Sequence, residues 1–326
     1  MCIVGLGLIG GSLMRDLQSR GERVYGFTLH GAGAARRDGF DVSDSVEEVL
    51  RRAEDDGALV VVAVPMRAVA SVLDQVAEFA PSCGITDVVS VKKPVYDLVV
   101  ERGLESRYVG GHPMAGTEFS GWTASQEGLF TSAAWAVTFD YAREHPGDPA
   151  WAELFTVVCR MAAVVGAEAV PVSVERHDEA VARVSHLPHV IAAALALVGD
   201  RGGTLAQSLS AGSFRGATRV ASTDPELVRN MCETNAESLV PVLDEFINLL
   251  QGARDSLSGE RPSLEDLTKS GHRAHLRMAA RKGARRESVS PVEISSRPIM
   301  RVHPGTPGWE KQLVQIESVG GRVEVF

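Results

Sequence analysis

Hydrophobic and polar positions follow two different patterns along the chain, and the change falls near residue 141. Before it, short runs rich in β-branched residues alternate with longer amphipathic stretches, which is typical of β-α-β units built on a parallel sheet. The predicted strands cover residues 2–4, 23–27, 59–63, 85–89, 108–110 and 134–139.

After residue 141 the apolar residues recur mainly at helical spacing. The polar segment "DYAREHPGDPAW" contains Pro146 and Pro149 and predicts a hinge. A helix over about 149–165 and the strand-like "EAVPVSV" come next, and helical periodicity then continues to about residue 281, with faces too apolar to be left in water. We therefore predict an α/β domain over 1–145 and an all-helical domain over 146–285.

The end of the chain has its own pattern. A basic, Ser-rich linker precedes "RPIMRVHPGTPGWEKQLVQIESVGGRVEVF", which predicts a strand, a helix and a strand within residues 286–326. About 30 residues are too few to form an independent core, so we expect this β-α-β tail to pack on the body or on a second subunit.

Composition narrows the class of protein. The 326 residues are 44% hydrophobic and 23% charged, and a net charge of −9 without a basic face argues against nucleic acid as a partner. The cysteines Cys2, Cys83, Cys159 and Cys232 have no zinc or disulfide spacing, which predicts reduced thiols and a cytoplasmic location. The N-terminus resembles no signal peptide, and no apolar run reaches the roughly 18 residues that would predict a membrane span.

A glycine-rich loop opens the chain. In "IVGLGLIGGSLMRDLQSRG", Gly5, Gly7 and Gly10 form G-x-G-x-x-G between an apolar strand and an amphipathic helix. This is the Rossmann-type dinucleotide signature, in which the glycines allow a tight turn, close approach of a pyrophosphate and close helix packing. The alternative is a merely flexible loop. The predicted cofactor contacts are Gly5, Gly7, Leu8, Ile9, Gly10, Thr28, Arg36, Val64 and Pro65.

The end of the second strand predicts which cofactor is preferred. A carboxylate there would bind the adenosine ribose of NAD, but the strand ends in Thr28, and Arg36 and Arg37 follow. This favours NADP over NAD, although the arginines can equally belong to a solvated face.

Two residues at strand ends are candidates for catalysis. His112 lies in "YVGGHPMAGTEFSGW", where Pro113 restricts the backbone beside it, and histidine suits proton transfer near neutral pH. Ser90, in "DVVSVKK", ends the preceding strand within reach of His112. The residues alone leave two alternatives open: His112 is a general base or a turn residue, and Ser90 is its companion or the N-cap of the next helix.

The helical half adds further polar candidates. His186 and His189 flank Pro188 without a third ligand for zinc, and one of them is expected to be a buried, hydrogen-bonded histidine. Arg215 and Arg219 follow in "SAGSFRGATRVASTDPELVRN", where an arginine can bind a carboxylate or simply be a surface cation.

Five segments in this order resemble the prephenate and arogenate dehydrogenase family of tyrosine biosynthesis. They are "VGLGLIGGSL", "DVVSVKK", "GGHPMAGTEFSGW", "HDEAVARVSHLPH" and "SAGSFRGATRVASTDPELVRNM", spread over residues 1–254. The resemblance implies oxidative decarboxylation of prephenate to 4-hydroxyphenylpyruvate, or of arogenate to tyrosine, with hydride transfer to NAD or NADP. It also implies a homodimer formed through the helical domain, and no metal.

The resemblance implies roles for individual residues as well. His112 matches the proton acceptor and Ser90 its hydrogen-bonding companion. The positions that match substrate-binding residues are His189, Arg219, Thr117, Glu118 and Gly212.

The chain departs from the usual family pattern at Thr28, where many members have an acidic residue, and in a tail too short for a regulatory ACT domain. Two other hypotheses are a β-hydroxyacid dehydrogenase, which would need a lysine that the helix around residues 177–198 lacks, and a dinucleotide sensor without turnover.

Overall fold

The computed structural model describes residues 1–117, 119–281 and 297–326, and these divide into two compact units. The first unit contains Met1–Asp178, Ser222–Thr234 and Ile299–Phe326, and the second contains Glu179–Ala221 and Asn235–Pro298. The first unit therefore extends beyond the domain boundary predicted at residue 145.

A six-stranded parallel sheet forms the centre of the first unit, with strand order β3-β2-β1-β4-β5-β6. This order reverses direction between β1 and β4, which confirms the predicted Rossmann-type fold. The strands are β1 Cys2–Val4, β2 Tyr25–Phe27, β3 Val42–Ser43, β4 Val60–Val62, β5 Ile85–Asp87 and β6 Tyr108–Val109.

The sheet is buried on both faces, which explains the runs of apolar residues. Successive side chains point to opposite sides, so Ile3 and Val61 pack in one core cluster while Val4 and Val62 pack in the other. The helices that flank or follow the sheet are α1 Leu8–Ser19, α2 Ala32–Arg37, α3 Val46–Asp56, α4 Met66–Phe79, α5 Lys93–Val100, α6 Asp140–Glu144 and α7 Pro149–Val164.

A second, three-stranded sheet follows. It contains β7 Gly111–Pro113, β8 Ala134–Thr138 and β9 Glu168–Val172; β7 is antiparallel to β8, and β8 is parallel to β9. The predicted strand at 134–139 therefore exists but belongs to this sheet. Helix α7 connects β8 and β9, and its Trp151 is buried and donates a hydrogen bond from Nε1 to the Tyr108 carbonyl oxygen (2.9 Å). This packing is why the first unit continues past the predicted hinge.

The described part of the second unit is helical, as predicted. A π-helical turn, Ala182–His186, interrupts the helix that begins with α8. The helices after β9 are α8 Val174–Val181, α9 Leu187–Asp200, α10 Gly203–Ser208, α11 Gly212–Thr218, α12 Pro225–Thr234, α13 Ala236–Ser258 and α14 Glu265–Arg281. Of these, α12 belongs to the first unit, and α8 passes from the first unit into the second after Asp178.

The helical segment Val174–Asp200, which includes this π-helical turn, has a mean hydropathy of 1.6 over its most apolar window, and 22% of that window is buried. By length and composition this helix could cross a membrane, which the sequence analysis did not anticipate. One such helix is weak evidence for a membrane span, because the core helix of a soluble protein can have the same length and hydropathy.

The tail, residues 297–326, contains the predicted strand, helix and strand. They are β10 Ile299–Val302, α15 Trp309–Val319 and β11 Arg322–Val325, and β10 pairs with β11 in parallel. Trp309 is buried against Trp151 and Phe155 of α7, with ring centroids 6.1 and 5.5 Å away. The tail thus packs on the body of its own chain, which is one of the two predicted alternatives.

Candidate active site

The glycine-rich loop joins β1 to α1 beside the end of β4. Gly5 has φ +107°, and a Cβ there would collide with the Ala63 carbonyl, while a Cβ on Gly10 would collide with the Gly5 carbonyl oxygen. Gly7 has no described atom within 4 Å of a Cβ position, so its backbone is open to a ligand. Among the described residues, no side chain caps the start of α1, which leaves its first N–H groups available to an anion. These residues fit the pyrophosphate of a dinucleotide.

The other predicted cofactor residues lie around this loop. Leu8 and Ile9 begin α1, and Val64 and Pro65 connect β4 to α4. They follow the adjacent strands β1 and β4, and their backbone therefore borders the same end of the sheet.

The end of β2 carries the residues that bear on cofactor choice. Thr28 is buried and its hydroxyl donates to the His30 carbonyl oxygen (2.9 Å). Arg36 is already engaged, because its Nε donates to the Val42 carbonyl oxygen (2.7 Å) and its guanidinium pairs with Asp44 (2.5 Å). Arg37 and His30 are exposed at this edge.

His112 is the central residue of β7, where it pairs with Ala136 of β8. Its ring is partly buried, and its Nδ1 lies 2.8 Å from Nε2 of His177 on α8. His177 Nδ1 in turn lies 2.7 Å from Asp178 Oδ1. His112, His177 and Asp178 thus form one hydrogen-bonded chain, which we call the relay.

The direction of each hydrogen bond in the relay follows from the carboxylate, which can only accept when ionised. Asp178 accepts a hydrogen bond from His177 Nδ1–H, so Nε2 of a neutral His177 is an acceptor. His112 therefore donates from Nδ1, and the lone pair of a neutral His112 is on Nε2. His112 thus lies in a strand and not in a turn, and a neutral His112 has its acceptor nitrogen at Nε2.

The charges around the relay support these protonation states. Burial lowers the pKa of His177 despite the opposing effect of Asp178, which keeps the inner ring neutral. Burial raises the pKa of Asp178, but the hydrogen bond from His177 and those from the backbone N–H groups of Lys92 and Lys93 outweigh it, so the pKa is lowered. Asp178 is therefore ionised at neutral pH.

A buried ion pair contacts Gly111, the residue before His112. The ammonium of Lys92 is fully buried, pairs with Asp87 and donates to the carbonyl oxygen of Gly111 (2.7 Å). Asp87 also accepts hydrogen bonds from the Tyr108 hydroxyl (2.7 Å) and from the N–H of Gly111 (3.0 Å). Both backbone groups of the residue preceding His112 are thus held by this pair.

Gly111 has to be a glycine for steric reasons. A Cβ at this position would lie 2.6 Å from the Asp87 carbonyl oxygen. A glycine at this position therefore allows β7 to pack closely against the end of β5.

Ser90 is half-buried in the turn between β5 and α5. The N-cap position of α5 is Lys92, and Asp178 accepts the N–H groups there, so Ser90 is not the N-cap. Thr117 is exposed after β7, and its hydroxyl oxygen accepts the N–H of Phe119 (3.3 Å). Glu118 lies outside the described residues.

The remaining candidates belong to the second unit. His189, on α9, donates from Nδ1 to the Ser185 carbonyl oxygen (2.9 Å), which leaves Nε2 as its other polar atom. Arg219 is exposed at the end of α11, and Gly212, at its start, has no described atom within 4 Å of a Cβ position. His186 is the buried histidine of the pair, and Asn235 Nδ2 donates to its Nδ1 (3.1 Å).

Four residues of the site were not predicted from the sequence: His177, Asp178, Asp87 and Lys92. Both segments that contain them, "HDEAVARVSHLPH" and "DVVSVKK", belong to the five that carry the family resemblance. The sequence signal for these residues is the presence of ionisable side chains at the end of a buried strand and at the start of a helix. Charges in such positions are buried only when they are paired.

Comparison with known proteins assigns both halves of the chain to the same family. The profile described as prephenate dehydrogenase, nucleotide-binding domain, matches residues 13–165, and that of the dimerization domain of the same family matches residues 173–270. Cyclohexadienyl dehydrogenase from Zymomonas mobilis is 32% identical over 277 residues, covering 80% of this chain and 89% of the relative.

Two solved structures extend the comparison. A structure from Corynebacterium glutamicum, described as a proposed prephenate dehydrogenase, is 50% identical with a TM-score of 0.92 and covers 100% of this chain and 98% of its own. Prephenate dehydrogenase from A. aeolicus, in complex with hydroxyphenyl propionate and NAD+, is 27% identical with a TM-score of 0.73 and covers 86% of this chain and 96% of its own. The predicted resemblance is confirmed, and these matches do not support the β-hydroxyacid alternative. The chain belongs to the prephenate dehydrogenase family, whose reaction is the nicotinamide-dependent oxidative decarboxylation of a cyclohexadienyl acid in tyrosine biosynthesis.

Proposed function

We propose that this chain converts prephenate to 4-hydroxyphenylpyruvate, or arogenate to tyrosine, with His112 as the general base. The observation that carries the proposal is the relay, in which Asp178 and His177 leave the lone pair of His112 on Nε2. A non-catalytic dinucleotide sensor would have no need of a base held in this tautomer.

The chemistry requires one proton acceptor and correct positioning. The bound nicotinamide supplies a hydride acceptor for the hydrogen on C4 of the substrate. His112 Nε2 takes the proton of the C4 hydroxyl as C4 becomes a carbonyl carbon. The C1 carboxylate then leaves as CO2, its bonding electrons make the ring aromatic, and the phenolate oxygen recovers a proton. Aromatisation supplies the driving force, so the protein mainly aligns the groups.

The relay stabilises the proton while His112 holds it. A protonated His112 still donates from Nδ1 to His177, and the ionised Asp178 favours the added positive charge. Ser90 is proposed as an additional hydrogen-bonding group that orients the ring or the substrate hydroxyl.

We propose the substrate ligands His189, Arg219, Gly212, Thr117 and Glu118 from the resemblance. Arg219 is the proposed carboxylate clamp, since a guanidinium binds both oxygens of a carboxylate. The exposure of Arg219 and the open backbone at Gly212 support these roles.

For the cofactor, we propose NADP in preference to NAD. Thr28 places no carboxylate at the end of β2 against a 2′-phosphate, and His30 and Arg37 are exposed nearby. Arg36, which the sequence analysis proposed for this role, is engaged by Val42 and Asp44, so it supports the proposal less than Arg37 does.

We also propose a cytoplasmic homodimer that forms through the helical domain. The second unit exposes large apolar side chains that an isolated unit would leave in water, and the matching profile describes a dimerization domain. The most exposed are Val184, Leu197, Val198, Leu205 and Leu209.

The direct test is an absorbance assay at about 340 nm, where reduced nicotinamide absorbs, with prephenate and arogenate each paired with NAD and NADP. We expect turnover with at least one substrate, and faster turnover with NADP. Failure of all four pairs would overturn the proposed activity, whereas faster turnover with NAD would overturn only the cofactor preference.

The substrate clamp gives a separate prediction. Arg219→Ala removes charge-assisted hydrogen bonds of about 1.5–3 kcal/mol, so we expect the substrate KM to rise roughly 10- to 100-fold with a smaller change in kcat. Steady-state kinetics measure both constants. Arg215→Ala, on the exposed part of α11, is the matched control and should leave KM unchanged. The opposite result for the two variants would assign the clamp to Arg215.

A further inference from the structure

The tail has no role in the activity described so far. It lies outside both family profiles, which match residues 13–165 and 173–270. Its helix α15 nevertheless forms hydrogen bonds with Ser173 and Arg176, close to His177 in sequence.

Glu317 of α15 makes the central contact. Its Oε1 accepts hydrogen bonds from the Ser173 N–H (2.7 Å) and from the Ser173 hydroxyl (2.8 Å), and Oε2 accepts one from Arg176 (3.3 Å). The Glu317 side chain is only 7% exposed, so these bonds are shielded from water. A carboxylate with three donors is a strong local constraint.

Ser173 stands directly before α8, where free N–H groups have to be satisfied. Asp140 accepts the next N–H, that of Val174 (2.9 Å). Two carboxylates from different elements thus hold the start of α8, and both suit the positive end of a helix dipole.

The tail also holds the beginning of β9, the strand that leads into Ser173. Arg322 of β11 donates to Glu168 (2.6 Å), whose side chain is 7% exposed. Trp309 donates from Nε1 to the Pro146 carbonyl oxygen (3.0 Å) and anchors the other end of the tail helix. Both ends of β9 are therefore fixed by the tail.

The path from Glu317 to the base is short. The Ser173 carbonyl accepts the N–H of His177 (2.9 Å), and His177 contacts His112. Each step is a hydrogen bond between described atoms, so a shift of Ser173 moves the ring that orients His112.

We propose that the tail is a brace for the active site and that Glu317 is a positioning residue that sets the distance between His177 and His112. This inference rests on the proposed role of His112 as the base. Glu317 acts through Ser173 and does not touch the substrate.

Three substitutions test the brace in the full-length enzyme. Glu317→Ala removes the acceptor, and Glu317→Asp keeps the charge but shortens its reach. Glu317→Gln retains a carbonyl oxygen for Ser173. We expect kcat to fall about 10-fold in the first two variants, with cofactor KM unchanged and the pH profile of kcat shifted, and to be largely restored in the third.

The matched control is Glu324→Gln in the same tail. Glu324 is 44% exposed and pairs with Arg301 (3.5 Å), away from Ser173, so we expect the kcat and pH profile of the unmodified enzyme.

A readout that does not need turnover separates the two proposals. Histidine-ring ¹⁵N NMR of the unmodified protein should show a protonated, hydrogen-bonded Nδ1 on His112, and Glu317→Ala and Glu317→Asp should weaken that signature. If no substrate pair is turned over, the proposed function fails while the NMR result still decides the brace. Unchanged ring signals in folded Glu317→Asp, or a loss of kcat in Glu317→Gln equal to that in Glu317→Ala, would overturn the brace.

Discussion

Replacing His112 by asparagine is expected to lower kcat by roughly two to four powers of ten, the range that general-base catalysis contributes. Asparagine can still donate a hydrogen bond to His177 Nε2, so β7 and the relay partner keep their places. It has no basic nitrogen, however, and the C4 hydroxyl proton then has to go to water. The measurement is single-turnover and steady-state reduction of the cofactor.

Cofactor affinity should be unchanged in this variant, because the pyrophosphate residues of the proposed site are in the loop between β1 and α1. Equilibrium binding of the reduced cofactor, followed by its fluorescence, checks this. His145→Asn, an exposed histidine after α6, is the control and should behave as the unmodified enzyme. Near-normal turnover in His112→Asn would overturn its role as the base and leave His112 a structural residue of β7.

The fold was largely predictable where the determinants are local. Gly5, Gly7 and Gly10 lie within one short segment of the sequence, and this segment specifies both the turn and the close packing of α1. The strand at 134–139 was predicted for the same reason. Its sheet was not, because pairing with β7 and β9 depends on residues more than 20 positions away.

The relay could not be predicted from spacing. His112 and His177 are separated by 65 residues, and only the packing of α8 beside β7 brings their rings to a centroid distance of 5.0 Å. Ser90 was the obvious companion because it ends the neighbouring strand, whereas the sequence contains nothing that orients a helix 65 residues away.

Buried charge misleads sequence reasoning in a further way. The two lysines of "SVKK" are adjacent, and nothing in their residue type tells them apart, since lysine is rarely buried. The structure separates them: Lys92 is fully buried with Asp87, while Lys93 is 47% exposed and pairs with Asp97 (2.8 Å). Only the position of Asp87, the last residue of a buried strand, distinguishes the two lysines.

That difference supports the second large prediction: Lys92→Met is expected to lower the free energy of unfolding by about 3–5 kcal/mol. Methionine is an unbranched side chain of similar length, but it leaves the Asp87 carboxylate at 0% exposure with its cation removed. The remaining donors to Asp87, among them Tyr108 and Gly111, do not neutralise its charge. Urea unfolding followed by tryptophan fluorescence measures the change.

Two further variants identify its cause. Lys93→Met removes the exposed partner of Asp97 and should cost no more than about 1 kcal/mol, as surface pairs do. Adding Asp87→Asn to Lys92→Met removes the orphaned charge and should recover part of the loss, because the penalty arises from an unpaired buried carboxylate rather than from a missing contact. An equal loss in Lys92→Met and Lys93→Met would contradict this account. Since Lys92 also holds the carbonyl oxygen of Gly111, the folded fraction of Lys92→Met should show a reduced kcat, which links the buried pair to the position of His112.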